Sequence, residues 1–118
     1  MTDTEVAPSV VERFTHILSA IDTVEETLQG ISEETLADDR IRRLVLERLF
    51  EMISMASGHI PASLKAVENG VDWQTIADIG DRLEDTRDRI ETNVLWKISK
   101  DTLVPLKACA ERCIPELG

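Results

Sequence analysis

The chain contains no tyrosine, two phenylalanines and two tryptophans. Sheet proteins pack largely through aromatic and β-branched side chains, so this poverty argues against a sandwich or barrel. Two cysteines are too few for a disulfide framework or an all-thiolate zinc site. Five glycines and four prolines leave no low-complexity tract or loose linker. No apolar run approaches the roughly 20 residues that span a bilayer, and the opening M-T-D-T-E-V is acidic where a secretory signal is basic and then apolar. The expectation is a soluble, cytoplasmic protein.

What is present is aliphatic and charged. Hydrophobic residues make up 42% of the 118, against 31% charged, which is too apolar for a disordered chain. The length suits one domain with one core. The formal charge of −10 is concentrated early: residues 1–39 hold ten acids and one arginine, net −9, leaving thirteen acids and twelve bases, net −1, in residues 40–118. Such a surface repels phosphate backbones, so nucleic acid is a disfavoured partner and a basic protein surface a favoured one. Nothing in the sequence implies a cofactor or a bound metal.

Residues 1–8 are polar, end in Pro8 and read as a flexible leader to a single domain over residues 9–118, with Ser9 a helix N-cap. Val10, Phe14, Ile17, Ile21, Val24 and Leu28 recur three and four apart, the spacing of one helix face, up to Gly30. A short connection with room for one helical turn follows. Ile41, Leu44, Val45, Leu49, Met52, Ile53 and Ala56 then give a second helix, to Gly58, packed on the first. Pro61 and the Asn69-Gly70 pair bracket a short segment holding a turn or two of helix. Asp72 caps a third helix opening at Trp73, with Ile76, Ile79 and Leu83 inward. A last helix over about 93–117 turns Leu95, Ile98, Thr102, Leu106, Cys109 and Cys113 inward, with Pro105 bending or interrupting it. The fold class is all-α: an up-and-down bundle of four main helices with room for an extra short one. Ile21, Leu49, Ile79 and Ile98 belong in its core, and Trp73 sits partly buried at a helix start.

Three stretches carry a more specific signal. F-E-M-I-S-M-A-S-G-H-I-P, residues 50–61, V-D-W-Q-T-I-A-D-I-G-D-R-L, residues 71–83, and V-L-W-K-I-S-K-D-T-L-V-P-L-K, residues 94–107, together resemble the HepT-like family of helical ribonuclease toxins in the HEPN superfamily. Ser54 and Met55 replace the Gly-Glu usual in the first stretch. Trp73, Ile76 and Ala77 fit the second. Trp96, Asp101, Leu103 and Pro105 fit the third, with one residue added before the proline.

The resemblance implies metal-independent RNA cleavage by an Arg, usually followed by Asn, and a His five positions after the Arg, assembled across a homodimer. Here those positions hold Gly80, Asp81 and Asp85. The family's tyrosine, modified by a partner nucleotidyltransferase antitoxin, falls on Arg87. Attack by a 2′-hydroxyl needs a proton acceptor near neutral pH and a cation for the charged phosphorane. Asp85 instead adds negative charge beside the phosphate. A frame shifted onto Arg82 and Arg87 supplies cations without a proton acceptor. The plainer reading of D-I-G-D-R-L-E-D-T-R-D-R-I-E is a solvated, continuous helix, with Asp78–Arg82 and Asp85–Arg89 four apart and Glu84–Arg87 three apart.

Other constellations are weaker. Asp78, Asp81, Glu84, Asp85 and Asp88 crowd adjacent helical faces, but Glu47 and Glu51 lack the E-x-x-E spacing of all-α magnesium-dependent nucleotide hydrolases. His59 reads as a helix C-cap, since a Ser57–His59 pair has no orienting acid in view. Arg40, Arg42, Arg43 and Arg48 follow a dense acidic run and read as a salt-paired face. Cys109 and Cys113, one turn apart with no further Cys or His near them in sequence, read as buried, reduced thiols. The resulting expectation is a catalytically degenerate HepT-like domain acting by self-association and protein binding. Its alternatives are an active ribonuclease toxin with a rearranged Arg82/Arg87 site and, more remotely, the magnesium-dependent hydrolase.

Overall fold

The computed structural model describes residues 9–85 and 90–117, so the leader expected over residues 1–8 lies outside the described residues. Four long helices, α1 (Val10–Leu28), α3 (Arg40–Gly58), α5 (Trp73–Glu84) and α7 (Leu103–Leu117), alternate with three short ones, α2 (Glu33–Ala37), α4 (Ala62–Val67) and α6 (Thr92–Lys97). α1 packs between α3 and α7, and α3 carries α5 on its other flank, so the main helices lie in the order α5, α3, α1, α7.

The helix starts follow from side-chain oxygens that satisfy otherwise orphaned backbone N–H groups. Ser9 accepts from the Glu12 N–H at 3.1 Å while Glu12 accepts from the Ser9 N–H at 3.0 Å, a full capping box. Asp39 caps α3 through the Arg42 N–H, and Asp72 caps α5 through the Thr75 N–H and hydroxyl at 3.0 and 2.7 Å. Those bonds from Thr75, side chain first and backbone second, hold the Asp72 carboxyl below the usual carboxylate range. α1 ends in a turn where Gly30 takes φ +77°, a conformation that disfavours any side chain.

The α1 face is as the spacing predicts: Phe14, Ile17, Ile21, Val24 and Leu28 are buried, with Val10 half-buried. Ile21, Leu49, Ile79 and Ile98 all lie in the core, and Trp73 opens α5 half-buried. The α3 assignment needs correction. Leu49, Ile53 and Ala56 face inward, but Ile41, Leu44, Val45 and Met52 are exposed, and the core instead receives Leu46 and Phe50. α3 carries two apolar stripes, and helical spacing does not say which of them meets α1.

The last helix is interrupted, as expected, but at residues 98–102, ahead of Pro105, which lies within α7. Between α6 and α7, residues 98–102 form a π-helical turn in which the Leu103 N–H reaches the carbonyl of Ile98, five positions back. A π turn takes up one residue more than an α turn. It falls where the chain carries one residue more than the HepT-like signature before Pro105, and it lets Ile98, Leu103 and Leu106 all remain buried.

Candidate functional site

α5 meets α3 at a point where neither helix has room to spare. Gly80 faces Ser54, and a Cβ built on Gly80 would stand 2.0 Å from Ser54 Oγ and 2.6 Å from Ser54 Cβ. A hydroxyl can rotate away, but a Cβ is fixed to its backbone. Any side chain at position 80 therefore requires the two helices to part. The position matching the family's arginine is thus built as a packing contact.

Beside this contact is a cleft of about 140 Å³ lined by Glu51, Ser54, Met55, Gly80, Asp81 and Glu84. Three of these six are carboxylates, and none is cationic. Asp85 does not continue the helix: α5 ends at Glu84, and Asp85 is its extended C-cap, φ −86° and ψ 102°. This corrects the expectation of a continuous helix through the segment. Arg82 reaches forward to Glu91 at 3.1 Å, across the gap between α5 and α6. Arg87, Asp88 and Arg89 lie outside the described residues. Of the residues at or near the motif, the structure gathers Gly80 and Asp81 and separates Arg82 and Asp85 into capping and pairing roles. Ser54 and Glu51 complete the cleft; the substitution of Ser54 for a usual glycine was the signal in the sequence that this wall had changed.

The remaining constellations resolve into local structure. His59 is the C-cap of α3, and the buried Ser57 hydroxyl makes no hydrogen bond among the described residues, to His59 or any other, so the two are not a nucleophilic pair. Arg42 pairs with Asp39 and donates to the Thr27 carbonyl at 3.0 Å, Arg43 donates to the Ala37 carbonyl, and Arg48 lies 3.8 Å from Glu51. Arg42 and Arg43, at the start of α3, act as fasteners.

Cys109 and Cys113 are free, buried thiols whose sulfurs stand 3.9 Å apart. Burial, then the proximity of Cys113, pushes the Cys109 thiol up to about 12, so it holds its proton at neutral pH and is no nucleophile. Beside them, brought from the end of α4, is Glu68, with its carboxylate 3.8 Å from the Cys113 sulfur and paired with Arg112. Sequence proximity gave no sign of this carboxylate.

The fold and cleft define an all-α domain whose motif helix is packed against its neighbour through small residues and rimmed by acids. The chain belongs to the HepT-like family: the family model described as "Ribonuclease HepT-like" matches residues 17–113. It is also similar to a protein of Thermococcus cleftensis named probable ribonuclease HepT, with 29% identity over 96 residues, covering 81% of this chain and 87% of that one. No solved structure matches the chain significantly. Among the described residues no helix is long and apolar enough to cross a membrane.

Proposed function

We propose that this chain is a catalytically degenerate HepT-like domain that acts in the cytoplasm by self-association and protein binding, as the remnant or regulator of a toxin–antitoxin pair. The observation that carries this reading is the motif cleft itself: Gly80 is closed against Ser54, and the lining is acidic. A scissile phosphate there would meet Glu51, Asp81 and Glu84 and no charge-compensating group among the described lining residues, the reverse of what phosphoryl transfer requires. Loss of a proton-transfer group alone forfeits a factor of about 100 to 10,000 in rate.

Self-association is supported by the outward stripe of α3. Ile41, Val45, Met52 and Met55 follow one another four, seven and three apart and are exposed by 68, 37, 44 and 63%. Met55 also lines the cleft, so a second copy covering the stripe would cover the cleft too. A nucleotidyltransferase partner, if this chain retains one, would hold it through contacts alone, because the chain offers no tyrosine to modify.

The test is incubation of the purified protein with a mixed RNA substrate, beside a Ser54→Gly, Gly80→Arg, Asp85→His variant. The Ser54 change is included because arginine at 80 does not fit without it. The wild type is expected to leave RNA intact. Cleavage by the wild type that disappears in Arg82→Ala or Arg87→Ala would establish the rearranged ribonuclease site instead.

A further inference from the structure

Cys109, Cys113 and Glu68 share no residue with the cleft, and nothing in the ribonuclease family reading uses them. Both cysteines turn into the core from successive turns of α7, neither more than 2% exposed. Their sulfurs are 3.9 Å apart, Cys113 Sγ is 3.8 Å from Glu68 Oε2, and the three ligating atoms all lie within 4.8 Å of one another. In a tetrahedral site with metal–sulfur bonds of about 2.3 Å and a metal–oxygen bond of about 2.1 Å, ligand atoms stand about 3.8 Å apart sulfur to sulfur and about 3.6 Å sulfur to oxygen. The thiols already have that spacing. Closing the longest edge requires a shift of about 1 Å by the flexible Glu68 side chain.

The Glu68 backbone is held by its own turn. Its carbonyl accepts the Trp73 indole N–H at 3.1 Å and the Val71 N–H at 3.3 Å, which fixes the turn between α4 and α5 internally. Charge also balances. Two thiolates, a carboxylate and a divalent cation leave one negative charge, and Arg112, paired with Glu68, offsets it. A depression of about 360 Å³ bordered by Glu68, Asn69, Gly70, Pro105 and Arg112 brings solvent to the Glu68 side of the cluster, while both thiols lie behind it in the core.

We propose that Glu68, Cys109 and Cys113 form a binding site for a thiophilic cation of the zinc class, with water as its fourth ligand. Soft sulfur donors beside one carboxylate select such ions over magnesium or calcium. As the two metal–sulfur bonds form, the two thiol protons leave to solvent. The ion then ties the α4–α5 turn to α7. The competing description is a hydrogen-bonded chain from Cys109 through Cys113 to Glu68 that binds nothing.

The full chain, reduced with a non-thiol phosphine, is titrated with cadmium while the ultraviolet thiolate-to-metal charge-transfer band is followed, and zinc then competes for the site. The band is expected to saturate at one ion per chain and to vanish on zinc addition. Cys109→Ala and Cys113→Ala should each abolish it, and Glu68→Gln should weaken binding at least about tenfold, as loss of even an outer partner of a metal ligand does. Absence of the band in the wild type overturns the proposal, as does equal binding by the Cys109→Ala, Cys113→Ala double variant, which would place the ion on the acidic surface. Should the cysteine variants fail to fold, the wild-type band and the partly exposed Glu68→Gln decide: unchanged affinity in Glu68→Gln removes that ligand and the site with it.

Discussion

Gly80 is more informative than a missing catalytic residue. Glycine within a helix costs roughly 1 kcal/mol relative to alanine, so in an isolated α5 the Gly80→Ala change would stabilise. Here the added Cβ meets Ser54 at 2.0 and 2.6 Å, and separating two packed helices outweighs the propensity gain. Gly80→Ala is expected to lower unfolding stability by about 1 to 3 kcal/mol. Ser54→Gly in the same chain should recover most of that loss, giving a favourable coupling in a double-mutant cycle read by urea denaturation. If Gly80→Ala raises stability, α3 and α5 are not packed this closely and the closed motif position is wrong. The same pair explains why returning an arginine to position 80 is not a single-residue change.

At the scale of elements, caps and termini were legible because each depends on a few adjacent residues. Ser9, Asp72 and Gly30 did what their chemistry dictates. Asp72 also sets a pH dependence. Its carboxylate form accepts the Thr75 bonds, so the folded chain binds this proton less tightly than the unfolded chain, which protonates first as pH falls. The cap's contribution is therefore full at neutral pH and drains away below about pH 4. Asp72→Ala should cost about 1 kcal/mol at neutral pH. Asp72→Asn, which keeps an acceptor but cannot titrate, should flatten part of the acid limb of thermal stability between neutral pH and about pH 3. An unchanged acid limb would mean that Asp72 does not bond to Thr75 in solution. Two elements were misread for identifiable reasons. The ion pairs that recommended a continuous helix past Glu84 are worth only a few tenths of a kcal/mol each. No apolar residue lies between Leu83 and Ile90 to give such a helix a face to bury, and Arg82 pairs across the gap with Glu91 instead. The phase of α3 was ambiguous because it is apolar on two sides. The cleft was legible only as an absence of Arg and His; that it is closed by Ser54 and rimmed by Glu51 depends on how α3 and α5 meet. The cluster at Glu68 depends on a contact between residues more than forty positions apart, which helical periodicity does not encode.

For the whole molecule, the second stripe on α3 is the feature that a lone copy leaves unexplained. Ile41, Val45, Met52 and Met55, with Arg48 between them, follow the three-and-four alternation by which one helix meets another in a seam. A two-fold interface places the same patch of both copies face to face, so the stripe would meet its own copy. The chain's excess negative charge opposes such pairing at long range. The opposition is weakest at α3, because residues 40–58 themselves hold four arginines against two acids. Light scattering at micromolar concentration is expected to give twice the chain mass, more firmly as salt screens the acids. Met52→Glu with Met55→Glu should give a monomer, because each change places a carboxylate in the seam beside Glu51, Asp81 and Glu84. Both side chains are exposed in the single chain, so circular dichroism and the unfolding midpoint of the diluted protein should stay close to the wild type. A wild type that is monomeric in high salt, or a dimer that survives both glutamates, would mean that α3 is not the seam.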